Sequence, residues 1–229
     1  MKIGILQTGQ APEPLRAAGD YPDLFETLLA GHGFTFQTWH VEAMEFPAGI
    51  HDADGWLITG SRHGVYEDHP FIAPLERFIR EAVSARVPVA GVCFGHQIMA
   101  QALGGTVEKF KGGWSVGPTA YDFGGDTVTL NAWHQDQVTA LPPGATVIAS
   151  SPFCQFAGLA YGDAGLSVQA HPEFKSDFIG GLIDTRGRGV VPEPILDAAR
   201  ARLDQPVDNA RIADRIAAFF KAAAARAAA

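Results

Sequence analysis

Apolar positions along this chain fall into two alternating rhythms. Short stretches rich in apolar residues stand at 2–6, 34–41, 54–59 and 87–92, bounded by glycine, proline or polar residues, and they predict buried strands. Between them the spacing changes to threes and fours. Phe71, Ile72, Leu75, Phe78, Ile79, Ala82 and Val83 share one helical face, while Glu76, Arg77, Arg80 and Glu81 take the other. That helix is expected to open at His69-Pro70. An earlier one opens at Asp20-Tyr21-Pro22, where proline is tolerated because a first-turn N–H has no intrahelical partner to lose, and it closes at Gly31 and Gly33. A third helix is expected over 94–103, ended by Gly104-Gly105. Strand and helix alternate in this way from residue 2 to 105, which is the signature of a parallel sheet with crossover helices.

Beyond residue 105 the rhythm turns β-like, with short pieces at 106–110, 115–121, 127–130, 145–150, 155–161 and 166–170 separated by Gly-Gly and Pro-Pro turns. Helix returns only after His171-Pro172-Glu173, in segments at about 194–203 and 209–222, and the alanine-rich residues 223–229 read as a frayed tail. No internal repeat, heptad pattern or linker divides the chain. The expectation is one α/β domain over 1–229, a three-layer, flavodoxin-like arrangement of a mostly parallel central sheet between helices, with residues 184–222 as a helical cover.

Composition narrows the function. Seventeen Lys and Arg against 25 Asp and Glu give a formal charge of −8, so nothing in the balance favours a nucleic-acid partner. Apolar residues make up 47% of the 229, enough for a core, yet no apolar run approaches the ~20 residues of a membrane span. The N-terminus lacks the apolar stretch and cleavage site of a signal peptide, and two cysteines make no disulfide framework. A cytoplasmic thiol protein is the expectation.

One of those cysteines stands in Gly91-Val92-Cys93-Phe94-Gly95-His96-Gln97, a Gly-x-Cys-x-Gly pattern at a strand-to-helix junction. Glycines two before and two after let strand and helix pass closely while the side chain between them is thrust out above the sheet. The helix start offers partial positive charge, which favours a thiolate, and the Phe94 N–H is placed to bind an oxyanion. Cys154, in Ser151-Pro152-Phe153-Cys154, lacks such a frame and reads as core. A thiol nucleophile needs a base and the base needs an orienter. Of eight histidines, His32, His40, His51, His63 and His69 show no signature, and neither His63 nor His69 stands at metal-ligand spacing from a second histidine or cysteine. His171 differs. It follows the apolar run Leu166-Ser167-Val168-Gln169-Ala170, at the carboxyl edge of a strand, and Glu173 stands two residues on, where it can hold the ring.

Together, Gly91–Gln97 and Gln169-Ala170-His171-Pro172-Glu173 resemble the class I (triad) glutamine amidotransferase family. Three further segments match: Leu57-Ile58-Thr59-Gly60-Ser61, Gly113-Trp114-Ser115-Val116-Gly117 and Trp133-His134-Gln135-Asp136, so the likeness runs in order over about 55–174. The resemblance implies Cys93 as nucleophile, His171 as base and acid, Glu173 as orienter, and the Gly60 and Phe94 N–H groups as oxyanion hole. It further implies Gln97 and His134 as substrate-binding residues. Many members carry Gly-Gly-Pro where this chain has Thr59-Gly60-Ser61, and that variant is more like the stand-alone GMP-synthase-like amidotransferases and plant γ-glutamyl peptidases. A second elbow family, the DJ-1/PfpI group, fits less well, because Phe94 rather than histidine follows the cysteine and His-Pro-Glu comes later in the chain.

The resemblance therefore implies an enzyme that cleaves the γ-glutamyl amide of glutamine or a γ-glutamyl compound through a cysteine thioester. No metal or organic cofactor is expected, and neither Gly-x-x-x-x-Gly-Lys nor Gly-x-Gly-x-x-Gly occurs. The implied partner is a small-molecule substrate. The alternatives are a glutaminase subunit that passes ammonia to a separate synthase in trans, and a non-catalytic binding protein on the same fold.

Overall fold

Ile3, Ile5 and Leu6 of strand β1 (Lys2–Leu6) are fully buried, as a strand covered on both faces requires. The computed structural model describes residues 1–227. In chain order β1 is followed by α1 (Tyr21–Leu28), β2 (Thr35–Trp39), β3 (Gly55–Ile58), α2 (Ile72–Ser84), β4 (Val89–Val92), α3 (Phe94–Ala102), β5 (Thr106–Lys109) and β6 (Ser115–Asp122). Then come β7 (Thr127–His134), β8 (Asp136–Ala140), β9 (Thr146–Ala149), β10 (Gly158–Tyr161), β11 (Gly165–Val168), α4 (Ser176–Leu182), α5 (Glu193–Arg200) and α6 (Asn209–Ala227).

The central sheet has the order β2-β1-β3-β4-β11-β10-β9. The first five strands run parallel, and β10 and β9 add an antiparallel edge. Register decides where the chemistry goes. In β4, Gly91 lies opposite Ile58 of β3 and Ser167 of β11. The carboxyl ends of these three strands therefore lie side by side, and Gly60, Cys93 and His171 each follow one of them, at the edge where α/β sheets place their ligands.

Two apolar layers sandwich the sheet. On one side Leu75, Phe78 and Ile79 of α2 pack with Phe94, Ile98 and Met99 of α3. On the other, Phe25 of α1 and Ile212, Ile216 and Phe220 of α6 pack with Leu57, Val92, Val128 and Leu130. The start of α1 is tied by a capping box in which the Asp20 side chain accepts from the Asp23 N–H and the Asp23 side chain accepts from the Asp20 N–H, the latter at 2.7 Å; Asp20 also accepts from the Tyr21 N–H at 2.8 Å.

Four expectations change. Strand β7 runs to His134 rather than stopping at 130, because it pairs along its whole length with β6, Ser115 opposite His134. Residues 136–140, where no strand is expected, form β8 against β5. A helix, α4, intervenes before the two expected C-terminal ones. The last helix does not give way at 222: α6 continues to Ala227, with Ala223 buried and the Arg226 guanidinium donating to the Asp163 carbonyl at 2.8 Å. Alanine is the strongest helix former, so an alanine run extends a docked helix rather than ending it. Residues 228–229 of the expected tail lie outside the described residues. Among the described residues no helix is long and apolar enough to cross a membrane.

Candidate active site

Cys93 sits between the end of β4 and the start of α3 with φ 55° and ψ −104°, one of three described non-glycine residues at positive φ. Such a backbone costs about 1–3 kcal/mol and persists only when its surroundings hold it. Two hydrogen bonds do so: the Cys93 N–H donates to the Val168 carbonyl at 2.9 Å, and the Gln97 N–H donates to the Cys93 carbonyl at 3.0 Å. The flanking glycines are a steric necessity. A Cβ on Gly91 would stand 2.5 Å from the Gly95 carbonyl, and one on Gly95 would collide with that of Ile58. The turn thus aims the thiol outward and puts the Phe94 N–H at the first turn of α3, where N–H groups have no intrahelical acceptor.

His171 is locked on three sides. Its backbone N–H donates to the Asn131 carbonyl of β7 at 2.8 Å, its Nδ1 hydrogen-bonds Glu173 Oε1 at 2.7 Å, and its ring stacks on Phe174 with centroids 4.0 Å apart and planes 5° from parallel. Both side chains of the His171–Glu173 pair are buried. With Nδ1 engaged, Nε2 is the free nitrogen, and no hydrogen-bond partner holds it elsewhere. Burial alone pulls the imidazole down, but the charges of Cys93 and Glu173 outweigh it and raise His171 to about 10. Gly60 closes the group: a Cβ there would lie 3.2 Å from His171 Cε1 and 3.9 Å from Cys93 Cβ. The structure thus brings Cys93, Gly60 and the His171–Glu173 pair together from three separate stretches.

A cavity of about 540 Å³ opens over Cys93 and His171, lined also by Gln97, His134, Tyr21 and Arg186. Gln97 is less free than expected of a substrate ligand. Its Nε2 donates to the Asp136 carbonyl at 2.8 Å and to Gln169 Oε1 at 3.1 Å, so it joins the start of β8 to the segment between β11 and His171. His134 closes β7 rather than riding on a loop. It is buried, neither ring nitrogen has a partner, and burial with the nearby His171 charge pushes it down to about 3. A neutral ring offers the cavity one donor and one acceptor. Cys154 is a contrast: burial raises its thiol to about 12, which keeps it protonated.

Two lining residues escape a reading of the chain alone. Tyr21, buried in α1, has its hydroxyl raised to about 12 by burial and accepts a hydrogen bond from Arg186 at 3.0 Å. Arg186 also donates to the Gln10 carbonyl at 2.7 Å and lies in a single π-helical turn, Ile183–Gly187, a feature often found at functional positions. In the chain, Arg186-Gly187-Arg188-Gly189 matches no motif of the family resemblance, and no spacing rule attaches it to the cavity.

Comparison with known proteins decides the family. The model of the class I glutamine amidotransferases matches residues 30–181. The chain belongs to the class I glutamine amidotransferase family. Curated relatives cover most of the chain's length. A glutamine amidotransferase-like protein of Schizosaccharomyces pombe is 28% identical over 89% of this chain and 92% of its own. Gamma-glutamyl peptidase 4 of Arabidopsis thaliana is 28% identical over 82% and 81%. Among solved structures, a glutamine amidotransferase of Methylobacillus flagellatus superposes with a TM-score of 0.75 at 24% identity, covering 97% of this chain and 94% of the other, and so shares its fold. The family is enzymatic, and its members include γ-glutamyl peptidases as well as glutamine-dependent amidotransferases.

Proposed function

We propose that this amidotransferase, acting as one catalytic domain, cleaves the γ-glutamyl amide bond of glutamine or of a γ-glutamyl compound through a thioester on Cys93. The observation that carries the reading is a thiol on a strained turn at the floor of a cavity, beside a buried His–Glu pair whose second ring nitrogen is free. The Cys93 sulfur attacks the side-chain carbonyl carbon, and the oxyanion takes hydrogen bonds from the Gly60 and Phe94 N–H groups. His171, protonated at Nε2 and held at Nδ1 by Glu173, gives its proton to the leaving nitrogen, so that ammonia or an amine departs and a γ-glutamyl thioester remains. Water then loses a proton to His171 and attacks the thioester, and the tetrahedral species collapses to glutamate and the free thiol.

Gln97 and His134 fall into different roles in this scheme. Gln97 positions the wall of the pocket through Asp136, while His134 faces the substrate as a neutral donor and acceptor. The Arabidopsis relative is a γ-glutamyl peptidase, which favours a substrate carrying more than ammonia beyond the scissile bond. The test is release of glutamate by the purified chain from glutamine and from a panel of γ-glutamyl dipeptides, with no other protein added. Turnover on the order of 1–10 s⁻¹ with at least one of them is expected. Release that needs an added synthase would assign the chain to the partner-dependent arrangement. No glutamate from any member of the panel would overturn hydrolysis.

A further inference from the structure

The loop between β3 and α2 gathers side chains that the proposed chemistry leaves unused. His63, Glu67 and His69 each present a ligand atom, and these atoms all lie within 4.8 Å of one another. His69 Nε2 is 2.8 Å from Glu67 Oε2, and His63 Nδ1 is 3.9 Å from the same oxygen. The two imidazole centroids are only 4.0 Å apart. In the chain these residues look unremarkable, because the spacing His-x-x-x-Glu-x-His follows neither helix nor strand. They meet because the segment turns at Gly64, where the Glu67 N–H donates to the Gly64 carbonyl at 3.1 Å, and because α2 starts at Ile72, three residues later than the His69-Pro70 signal suggests.

A fourth residue gives the cluster direction. Glu42, from the turn after β2, hydrogen-bonds His63 Nε2 at 2.8 Å. A carboxylate there takes the Nε2–H, so in the neutral ring the Nδ1 lone pair is the one turned toward Glu67. A lone pair opposite a carboxylate oxygen is repulsive unless a proton or a cation lies between them. Carboxylate behind, imidazole in front, and an acceptor-rich space ahead is the arrangement by which metal-binding histidines are oriented and made more basic. With both rings neutral, Glu42 and Glu67 bring two negative charges to the group. The side chains of His63, Glu67 and His69 are 14%, 47% and 31% exposed, so solvent reaches the group while one ring is firmly held.

We propose that His63, Glu67 and His69 form a site for one Zn²⁺ ion at the lip of the cavity, with Glu42 orienting His63. Two imidazoles and one carboxylate are a borderline-soft set that suits zinc and discriminates against magnesium and calcium, which take oxygen ligands. Ligands about 2.0–2.1 Å from a tetrahedral ion stand roughly 3.3 Å from one another. The 2.8 and 3.9 Å separations straddle that value, so a small shift of the half-exposed Glu67 carboxylate completes the set. Three protein ligands leave a fourth position on the ion, and because His63 and Glu67 also line the cavity, that position is available from the cavity side. All three ligands lie in the β3–α2 loop, so the ion would clip that loop onto itself, and the His63–Glu42 bond would tie the clip to the turn after β2. This inference does not rest on the catalytic reading, because none of the four residues takes part in it.

The test is titration of the tag-free, chelator-washed full chain with ZnCl₂ by calorimetry. It is run in a Cys93→Ala background, so that the cavity thiol cannot supply the binding. One equivalent binding with a Kd below about 10 μM is expected, with no response to MgCl₂. His69→Ala and Glu67→Gln should each weaken binding at least 10-fold, and Glu42→Gln, which keeps the side-chain shape, about 10-fold. Circular dichroism of each variant checks that the fold is intact. An independent readout is CoCl₂, whose visible absorption between 500 and 650 nm should appear in the Cys93→Ala protein and vanish in Cys93→Ala/His69→Ala. No saturable zinc binding below about 10 μM in the Cys93→Ala protein, or affinity unchanged in both His69→Ala and Glu67→Gln, would overturn the site.

Discussion

Replacing Cys93 by alanine is expected to lower glutamate release by at least about 10⁴-fold while leaving a folded protein, because in the proposed scheme the change removes the nucleophile and leaves the oxyanion hole and cavity in place. The fold should survive because alanine meets the same positive-φ penalty as cysteine, so the strain at φ 55° neither grows nor disappears. That strain gives a second, independent readout. Cys93→Gly is equally inactive on this account, but glycine adopts positive φ without cost, so it should unfold at about 1 kcal/mol higher stability than Cys93→Ala. Glutamate release assayed over hours, with urea melts of both variants, checks the two halves together. Retained turnover in Cys93→Ala would remove the thioester from the scheme, whereas equal stabilities would say that the turn is relaxed. Glu173→Gln should be the milder lesion. It keeps a hydrogen-bond acceptor for Nδ1 but removes one of the two charges that raise His171, so its activity should fall most on the alkaline side, where the ring needs that charge to stay protonated.

What the chain shows without a structure is what neighbouring residues can settle among themselves. The Cys93 turn is legible because a four-residue buried strand, two glycines and a helix start all lie within a dozen positions. The His171–Glu173 pair is legible because the two residues are separated by one. The same locality makes the parallel half of the sheet readable from its alternation. The Tyr21–Arg186 contact spans 165 positions, and nothing near either residue announces the other. The histidine–carboxylate group at the rim is hidden for a related reason: Glu42 lies 21 positions before His63, and a turn rather than a periodic element brings His69 back. Strand β8 and the end of β7 owe their form to partners in β5 and β6, so their own composition says little. At Gln97 the chain alone does not show that the side-chain Nε2 is committed to Asp136 and Gln169, 39 and 72 positions away.

Acid should weaken this protein before it touches the carboxylates, through two histidines that the fold keeps neutral. His96 lies fully buried in α3 with Nδ1 2.8 Å from Ser167 Oγ, and burial pushes it down to about 3. His134 is lowered to about 3 by burial together with the charge of His171. In the unfolded chain each titrates near ~6.5. Between the two values the unfolded state therefore binds protons that the folded state refuses, so stability is complete above about 6.5 and is lost as pH falls. At pH 5 each ring costs about 2 kcal/mol, about 4 together, against a total stability of roughly 5–15 for a domain. His171 does not mask the effect. Its pKa is raised, so its own contribution is already complete below about 6.5 and fades only as pH climbs toward 10. Urea melts at pH 7.5 and 5.0 should show the drop at unchanged m-value, and His134→Gln should halve it whatever that variant does to stability at pH 7.5. A wild-type midpoint that holds constant between the two pH values would mean that these rings accept protons in the folded state. A drop of the same size in His134→Gln would place the lost protons elsewhere in the molecule.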